Sequence, residues 1–365
     1  MTALQGLRIA DFSRILAGPL ATMLLGDLGA DVVKVERPGG GDDTRSWGPP
    51  YAEDGTATYF LSVNRNKQSQ VLDLSTQIGR RRAQDLAVEC GIVVENFRPG
   101  VMDRLGLGYE VLAERRPDLI YCSISAFGSG DGAALPGYDL IVQAVGGLMS
   151  ITGTPDGEPQ KVGVALVDVV TGLFAALGIV AAVRHRERTG EGQRIEVDLL
   201  SCVLAALTNQ AAGYTAGGVI PQRMGNQHPS IAPYETLPTG DGVLAVAVGN
   251  DKQFTAMCAV LDAPELVGDT RFVSNTSRVG HRDALRTELV KRLSGGDAAT
   301  WARRLNDAGV PAGPVNDLAA AFEYAQSLGL EPIVNIGGTA LPRNPLRMAG
   351  TPVRYASAPP RLEKL

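Results

Sequence analysis

Hydrophobic and polar positions in the first third of the chain predict a repeated strand and helix order. Leu7–Phe12 and Asp31–Glu36 have the pattern of short strands, and Pro19–Leu28 between them has helical spacing that ends at Gly29. The same order continues, with alternating strands and helices predicted at Val71–Leu74, Arg80–Cys90, Ile92–Phe97, Tyr109–Arg115 and Leu119–Ala126. This alternation indicates an α/β fold with a mainly parallel, doubly wound sheet.

Beyond about Ala212 the pattern changes, and Gly, Pro, Asn and Gln become frequent. Tyr234–Leu237 and Val243–Val248 predict a hairpin, and helices are predicted at Lys252–Leu261, His281–Leu293 and Ala299–Ala308. We therefore predict a large Rossmann-like α/β domain at 1–215, a smaller α+β domain at 216–334, and a return of the chain to the large domain at 335–365.

The apolar stretch 161–183 contains a single acid, Asp168. A helix over Val169–Arg188 is predicted by the spacing of Val170, Leu173, Phe174, Leu177, Val180 and Val183. Asp168 then falls at the N-cap, where aspartate is a preferred residue. A carboxylate held by a helix N-terminus at the mouth of an apolar site is also a usable nucleophile towards a thioester. The two interpretations are compatible.

The composition argues against nucleic-acid and membrane partners. The 365 residues are 44% hydrophobic and 20% charged, and the net charge is -5 with no block of five or more like charges. The longest apolar run, Val169–Val183, is shorter than the roughly 20 residues that span a bilayer, and the start of the chain lacks a secretion-signal pattern. Four scattered cysteines predict buried thiols and a cytoplasmic location. Three histidines far apart in the sequence favour no metal.

Two glycine-rich segments match nucleotide-binding loops only in part. Gly128–Ala133 fits the G-x-G-x-x-A pattern, but Pro136 follows where a helix should begin, so a plain loop is favoured. Arg37–Asp43 has glycines that could cradle a phosphate but lacks the lysine and hydroxyl of a P-loop. For this second segment, a loop and a phosphate site both remain open.

Basic residues follow the ends of several predicted strands. They are Arg37, Lys67, Arg98 and Arg104. Because the carboxyl ends of strands form the ligand site in an open α/β sheet, these charges either converge on one polyanionic ligand or remain solvated surface charges. Asn96 and Phe97 lie among them and suit hydrogen bonding and stacking on a base. Together these residues suggest a ligand with adenine and phosphate groups.

Longer stretches resemble the family III CoA-transferases, also called the CaiB/BaiF family, which include formyl-CoA transferase and the related α-methylacyl-CoA racemases. The resemblance covers nearly the whole chain and rests on LAGPLATMLLGDLGADVVKVERPGGGD, NRNKQSQVLDL, VENFRPGVMDRLGLGYE, GYDLIVQAVGGLMSITG, GVALVDVVTGLFAALG and RTGEGQRIEVDLL. It implies an interlocked homodimer of two ring-shaped chains. Acyl-CoA would be a substrate rather than a permanently bound cofactor, and a small carboxylic acid would be the acceptor.

The resemblance places the catalytic aspartate of the family on Asp168. By the family mechanism, Asp168 attacks an acyl-CoA, the resulting anhydride becomes an aspartyl-CoA thioester, and the acceptor carboxylate then takes the CoA. The implied side-chain contacts to CoA are Arg37, Lys67, Asn96, Phe97 and Arg104, with backbone contacts near Leu16, Ala17, Leu72 and Leu105. Tyr138 would line the thioester pocket, or else is a packed aromatic residue.

Racemases of this group have a G-H-D motif, and this chain has Gly137, Tyr138 and Asp139 instead. A tyrosine with a pKa of about 10 is a poor proton shuttle at neutral pH, which favours a transferase over a racemase. A non-catalytic CoA-binding homologue is a third alternative, since Leu16 replaces the glutamine of formyl-CoA transferase. The segment 138–173 is more similar to succinyl-CoA-dependent transferases, whose acceptor needs a cation. The candidates are Arg14, Arg223 and His228, and a structural or surface role is the alternative for each of them.

Overall fold

The computed structural model describes residues 1–362, which divide into two compact units. The first unit contains Met1–Leu148, Lys161–Ile220 and, of the described residues, also 331–362. The second unit contains Met149–Gln160 and Pro221–Leu330. The sequence-based division at 215 and 334 stays a prediction about domains, and the compact units differ from it most at 149–160.

The elements up to residue 151 follow the predicted order of strands and helices, with further short helices between them. They are β1 (Arg8–Asp11), α1 (Ala17–Asp27), β2 (Asp31–Glu36), α2 (Thr58–Ser62), β3 (Lys67–Val71), α3 (Gln77–Cys90), β4 (Ile92–Glu95), α4 (Val101–Arg104), α5 (Tyr109–Arg115), β5 (Ile120–Ser125), α6 (Asp139–Val145) and α7 (Leu148–Ile151). A short 3-10 helix at Asp43–Ser46 lies in the loop after β2.

The remaining elements complete the first unit and form the second. They are α8 (Leu166–Thr189), β6 (Gln193–Asp198), α9 (Leu199–Ala206), α10 (Thr208–Thr215), β7 (Tyr234–Pro238), β8 (Val243–Ala247), α11 (Asp251–Val260), α12 (Glu265–Gly268), α13 (Asn275–Gly280), α14 (Arg282–Leu293), α15 (Ala298–Asp307), β9 (Ala312–Pro314), α16 (Leu318–Ser327), β10 (Ile333–Ile336) and β11 (Thr339–Pro342).

Six parallel strands form the sheet of the first unit, in the order β3-β2-β1-β4-β5-β6. Successive side chains of a strand point to opposite faces, and in β4 Ile92 and Val94 join one hydrophobic core cluster whereas Val93 joins another. The sheet is therefore covered by apolar residues on both faces, and the α/β prediction is confirmed. The strand order reverses between β1 and β4, which is where such sheets bind ligands.

Two strands differ from the prediction. The third strand lies at Lys67–Val71, and Val71–Leu74 was wrong because the chain leaves the sheet after Leu72, whose N–H bonds to the carbonyl of Glu36. The sixth strand, β6, was missed. It alternates charged and apolar residues and pairs only with β5 at the sheet edge, so its sequence lacks the continuous apolar run of the inner strands.

Helix α8 packs into the first unit through its smaller residues. It is long and apolar enough to cross a membrane by length and composition alone. Its buried residues include Thr171, Ala175 and Ile179, and a Cβ at Gly172 would lie 2.7 Å from the carbonyl oxygen of Ala17 in α1. Gly172 therefore permits a close approach of the two helices, and one face of α8 belongs to the hydrophobic core of the first unit.

The larger apolar residues of α8 lie on its other face. Leu173, Phe174, Leu177 and Val180 are exposed, although their spacing was the signal that predicted the helix. The nearby helix α6 also exposes Leu140, Ile141 and Val145. The apolar repeat thus predicted the helix correctly but does not mark the face that packs within the chain.

The second unit has a three-stranded antiparallel sheet in the order β7-β8-β9. The predicted hairpin is confirmed, with Thr236 opposite Ala245. Helices α11, α14 and α15 lie where the sequence predicted helices. Phe254, Leu289 and Trp301 from these helices pack in one hydrophobic core cluster.

Candidate active site

The loops that follow β1 and β4 line a cavity of about 200 Å³ at the point where the strand order reverses. We call it the Asp168 cavity. Its lining includes six residues that the sequence analysis singled out: Leu16, Ala17, Asn96, Phe97, Tyr138 and Asp168. The fold therefore brings together segments that are up to 152 residues apart in the sequence, counting from Leu16 to Asp168.

Asp168 lies in the first turn of α8 rather than at its N-cap. The helix begins at Leu166, and Ala165 at the N-cap offers no side-chain acceptor. The carboxylate Oδ1 of Asp139 supplies it instead, accepting hydrogen bonds from the backbone N–H of Val167 at 2.8 Å and of Asp168 at 3.3 Å. The predicted cap role of Asp168 is wrong, because a residue 29 positions earlier performs it and leaves the Asp168 side chain free.

Gln143 fixes Asp139 in this position. Its amide nitrogen donates a hydrogen bond to the second carboxylate oxygen of Asp139 at 2.6 Å. Its amide oxygen accepts one from the backbone N–H of Val162 at 2.9 Å, in the segment that leads into α8. Asp139 and Gln143 are both buried on α6. The start of α8, and with it the position of Asp168, is thus tied to α6 by two side chains.

The carboxyl group of Asp168 is buried and poorly solvated by the protein. The residue is 9% exposed, and no residue within 1–362 donates a hydrogen bond to its side chain. Burial, and secondly the negative charge of Asp139, raise the pKa of Asp168 to about 7. At neutral pH a large fraction is therefore ionised without hydrogen-bond donors that would make the anion less reactive. Such a carboxylate can act as a nucleophile or as a base.

The loop after β1 is held by Asn96. The side-chain oxygen of Asn96 accepts a hydrogen bond from the backbone N–H of Arg14 at 2.8 Å, and its nitrogen donates to the Arg14 carbonyl at 2.6 Å. The next residue, Ile15, has φ +72°, a left-handed conformation that is costly for a β-branched side chain. Asn96 lines the cavity, but its amide holds this strained loop through two hydrogen bonds. Only the hydrogen-bonding capacity that the amide does not use there could serve a ligand.

Lys67 does not line the cavity. Its side chain is fully buried, and its ammonium donates to the carboxylate of Asp11 at 3.0 Å, the carbonyl of Pro19 at 2.9 Å and the side chain of Asn64 at 3.0 Å. These three bonds use all three donors of a lysine ammonium. Burial lowers the pKa of Lys67 to about 8 despite the opposing charge of Asp11. Lys67 thus has a structural position beneath the site, with no donor left for a ligand in the described structure.

Asp11 and Lys34 extend this buried network to the same loop. Burial alone would raise the pKa of Asp11, but the charges of Lys67 and Lys34 outweigh it and lower the pKa to about 2. The ammonium of Lys34 donates to the carbonyl of Ser13 at 3.0 Å and pairs with Asp42 at 2.8 Å. The loop between β1 and α1 is therefore fixed from below by paired charges.

A second cavity of about 320 Å³ lies beside the first, and we call it the Arg37 cavity. It contains three further residues of the sequence prediction, Arg37, Leu72 and Leu105. Arg14 and Phe97 line both cavities. Arg37 forms an ion pair with Asp43. Apart from Lys67 and Arg104, the predicted CoA contacts thus lie around two neighbouring cavities that share a wall.

Three other candidates lie elsewhere. Arg104 is exposed at the end of α4 and lines neither cavity, although the next residue, Leu105, lines the Arg37 cavity. Arg223 and His228 belong to the second unit, where Arg223 donates to the carbonyl of Thr154 at 3.3 Å. The glycine-rich segment at 128–133 forms no helix, which agrees with the favoured prediction of a plain loop. It lines the Asp168 cavity.

The sequence analysis missed the residue that positions Asp168. Asp139 was noted only as part of a motif, and its position in the first turn of α6 was the available signal. Tyr59 was not singled out. Burial, and then the charges of Asp168 and Asp139, raise the pKa of Tyr59 to about 12, so the phenol lies within the electric field of these two carboxylates.

Comparison with known proteins identifies the family. Residues 4–364 match CoA-transferase family III. The chain belongs to this family. It is 44% identical to mouse succinyl-CoA:glutarate CoA-transferase, across 99% of the chain and 84% of the mouse protein. It is also 43% identical to succinate--glutarate CoA-transferase of Agrobacterium fabrum (strain C58 / ATCC 33970), across 98% of the chain and 92% of that protein.

The fold of this CoA-transferase matches a solved structure of the same group. A crystal structure of a CaiB/BaiF family protein from Brucella suis superposes with a TM-score of 0.90 and 44% identity, covering 99% of the chain and 96% of the other protein. The resemblance seen in the sequence is therefore confirmed. The chain is a family III CoA-transferase, an enzyme whose substrates are acyl-CoA and a carboxylic acid.

Proposed function

We propose that this CoA-transferase moves CoA from a succinyl-CoA-like donor to a small carboxylic acid through a thioester on Asp168. The observation that carries the proposal is the position of Asp168. Its carboxylate lies in a cavity at the strand-order reversal, is placed by Asp139 through the backbone, and receives no hydrogen bond from the described residues. Two glutarate transferases among its relatives support a dicarboxylic substrate.

The proposed reaction exchanges acyl groups in balanced steps. A carboxylate oxygen of Asp168 attacks the thioester carbon of the donor, which gives a mixed anhydride and releases CoA as a thiolate. The thiolate attacks the Asp168 carbonyl, which forms aspartyl-CoA and releases the donor acid. The acceptor carboxylate then attacks aspartyl-CoA and releases the thiolate again. Attack of the thiolate on the acceptor side of the new anhydride yields the product and restores Asp168.

The two neighbouring cavities support an extended path for CoA. We place its charged nucleotide end at the Arg37 cavity, with Arg37, Leu72 and Leu105, and the nearby exposed Arg104 remains a contact in this proposal. The thioester end lies in the Asp168 cavity, against Leu16, Ala17, Asn96, Phe97 and Tyr138. Phe97, which lines both cavities, would contact the middle of the ligand.

We also propose a homodimer, in which two ring-shaped chains interlock, acting in the cytoplasm. The exposed apolar residues of α8 and α6 support it, because a contiguous apolar face of this kind usually marks an interface. Sedimentation should give a dimer mass. Two differently tagged preparations, mixed and incubated, should form no mixed dimers until they are unfolded and refolded together. A monomer, or ready exchange of subunits, would contradict the interlocked dimer.

A racemase is the second candidate function, and one observation favours it. A carboxyl group with a pKa of about 7, as at Asp168, suits removal of an α-proton at neutral pH. Incubation of a 2-methylacyl-CoA in deuterated water separates the two functions. Deuterium at the α-carbon without a second acid would support the racemase, and its absence would remove that candidate.

Steady-state exchange tests the transferase directly. The protein is incubated with succinyl-CoA and glutarate, and the CoA esters are separated by liquid chromatography. We expect glutaryl-CoA to form with parallel lines in double-reciprocal plots, because a covalent enzyme intermediate gives ping-pong kinetics. Hydrolysis to free CoA without glutaryl-CoA would contradict the transferase, and binding of CoA with no turnover for any donor would favour the non-catalytic homologue.

A further inference from the structure

Arg14 has an unused guanidinium group beside the Asp168 cavity. The group lies 4.7 Å from the centre of the Phe97 ring and makes no hydrogen bond to any residue in the described range 1–362. Its nearest carboxylate is that of Asp43, at 3.8 Å, and Asp43 is already held more closely by Arg37. A guanidinium has five N–H donors, so Arg14 retains donors for an anion in the cavity.

The backbone of Arg14 is fixed independently of its side chain. Both its N–H and its carbonyl bond to the Asn96 amide, and the carbonyl of the preceding residue, Ser13, accepts from buried Lys34. The Cζ of Arg14 lies over the Phe97 ring, a contact that an arginine can make while its N–H groups remain available for hydrogen bonding. A planar, positioned guanidinium of this kind can bind a carboxylate through two parallel hydrogen bonds.

The charges that line the Asp168 cavity show what such a site could hold. The described lining contains two cations, Arg14 and Arg98, and two acids, Asp43 and Asp168. Arg98 is exposed, and it also lines a third cavity that contains Glu95, Glu196 and Asp198. Arg14 is the cation with a fixed backbone and an aromatic support. A ligand with a carboxyl group at each end could therefore react at Asp168 and pair with Arg14.

We propose that Arg14 binds the distal carboxylate of a dicarboxylic acyl group or acceptor acid, and so selects dicarboxylic over monocarboxylic substrates. The effect of Arg14 on the reaction rate rests on the proposed function of Asp168. A monocarboxylic substrate would place a methyl group at the guanidinium and leave its donors unpaired, whereas a dicarboxylate of suitable length satisfies them. A charge-assisted hydrogen-bonded pair contributes enough free energy to change a rate about 10- to 100-fold.

The first test compares succinyl-CoA with butyryl-CoA, which has the same chain length but no distal carboxylate. Single-turnover release of the donor acid, succinate or butyrate, is measured for the wild type, Arg14→Gln and Arg14→Lys. We expect Arg14→Gln to slow the reaction of succinyl-CoA roughly 10- to 100-fold and to leave that of butyryl-CoA within about twofold. Arg14→Lys should lose less, because it keeps the charge but not the planar pair of donors.

Two further variants serve as controls. Arg115→Gln removes a surface arginine that is paired with Asp85 outside both cavities, and it should change neither rate. Arg98→Gln removes the other cation of the cavity. If Arg98→Gln abolishes the preference for succinyl-CoA and Arg14→Gln does not, the distal site lies at Arg98 and the inference is overturned. An equal loss for both donors in Arg14→Gln, with unchanged thermal unfolding, would also overturn it.

A binding measurement separates this inference from the proposed catalytic role of Asp168. Calorimetry is performed with CoA-saturated protein and either glutarate or pentanoate. We expect glutarate to bind more tightly than pentanoate, and Arg14→Gln to remove this difference. The result does not depend on turnover, so a protein that binds glutarate through Arg14 but forms no CoA ester would refute the catalytic proposal alone. Equal binding of the two acids by the wild type would refute the role of Arg14.

Discussion

Asp139 both positions Asp168 and opposes its ionisation. Its carboxylate Oδ1 accepts the backbone N–H of Asp168 at 3.3 Å, and its charge adds to the effect of burial in raising the pKa of Asp168 to about 7. A buried residue on α6 therefore fixes the first turn of α8 and reduces the acidity of the side chain that this turn carries. In the proposed reaction, Asp139 is a positioning residue rather than a catalytic one.

The first prediction concerns the pH dependence of turnover. Only ionised Asp168 can attack, so kcat/KM should rise with pH, with an apparent pKa of about 7, and level off above it. Asp139→Asn keeps an oxygen acceptor for the helix but removes the charge. We expect this variant to shift the rising limb to lower pH, because burial alone then raises the pKa of Asp168. The pH profile of kcat/KM for wild type and variant measures the shift.

Glu114→Gln is the matched control for this profile. It removes one negative charge from an exposed position on α5 and should leave the profile unchanged. If Asp139→Asn moves the limb to higher pH, or if Glu114→Gln moves it as much, the local effect of Asp139 on Asp168 is refuted.

The second prediction is that Asp168→Asn increases stability at neutral pH. Burial, with the charge of Asp139, raises the folded-state pKa of Asp168 from 3.8 to about 7, so the folded protein binds this proton more tightly than the unfolded chain. Ionisation of Asp168 therefore lowers the free energy of unfolding. This loss is absent below pH 3.8 and grows with pH up to about pH 7. The gain in the variant should reach on the order of 2–4 kcal/mol above pH 7.

Urea unfolding at several pH values between 5 and 8 measures this gain. Asp118→Asn provides a control of opposite sign. Burial would raise the pKa of Asp118, but the hydrogen bond and charge of Arg116 lower it, so this carboxylate stabilises the folded state when ionised. Asp118→Asn should lose stability at neutral pH. A loss of stability in Asp168→Asn that is independent of pH would contradict the assigned burial of Asp168.

The third prediction concerns Asn96. Asn96→Ala removes both hydrogen bonds to the Arg14 backbone and leaves Ile15 without that support for its left-handed conformation. We expect a loss of about 1–3 kcal/mol in stability and weaker CoA binding, because the loop that lines the cavity can relax. Unfolding by urea and calorimetry with CoA measure the two effects.

Asn275→Ala is the control for Asn96→Ala. In the second unit, Asn275 makes the same kind of clamp, accepting the N–H of Ala232 at 3.2 Å and donating to the carbonyl of Ser230 at 2.9 Å. It should reduce stability and leave CoA affinity unchanged. If Asn96→Ala binds CoA as tightly as the wild type, the clamp is not needed for the site.

The fourth prediction distinguishes a buried ion pair from a ligand contact. Lys67→Met leaves Asp11 buried without its partner, and such a loss costs about 3–5 kcal/mol. Arg115→Ala breaks the exposed pair with Asp85 and should cost at most about 1 kcal/mol. Urea midpoints of both variants test the contrast. Full stability of Lys67→Met together with weaker CoA binding would restore Lys67 as a CoA contact.

Local patterns predicted the fold better than they predicted the contacts of the site. The regular spacing of apolar runs indicated the parallel sheet because inner strands such as β4 are buried on both faces. It missed β6, where charged residues alternate with apolar ones at the sheet edge. The same local logic made Asp168 an N-cap, since no sequence pattern shows that Asp139 in α6 caps α8.

The candidate site followed from the sequence where topology alone decides position. Asn96 and Phe97 directly follow β4, so the strand order brings them to the cavity. Lys67 was also predicted as a ligand contact, but β3 places it against buried Asp11. A single sequence contains no pattern that reveals a buried ion pair between distant strands. The unused donors of Arg14 likewise became evident only with its neighbours in place.

The most direct test of the account is mass spectrometry of the covalent intermediate. The intact protein is incubated with succinyl-CoA, quenched in acid and digested, with Asp168→Ala treated in parallel. We predict a CoA-sized adduct that maps to Asp168, is removed by hydroxylamine and is absent from Asp168→Ala. An adduct on another residue, or glutaryl-CoA formation by Asp168→Ala at the wild-type rate, would contradict the central role of Asp168.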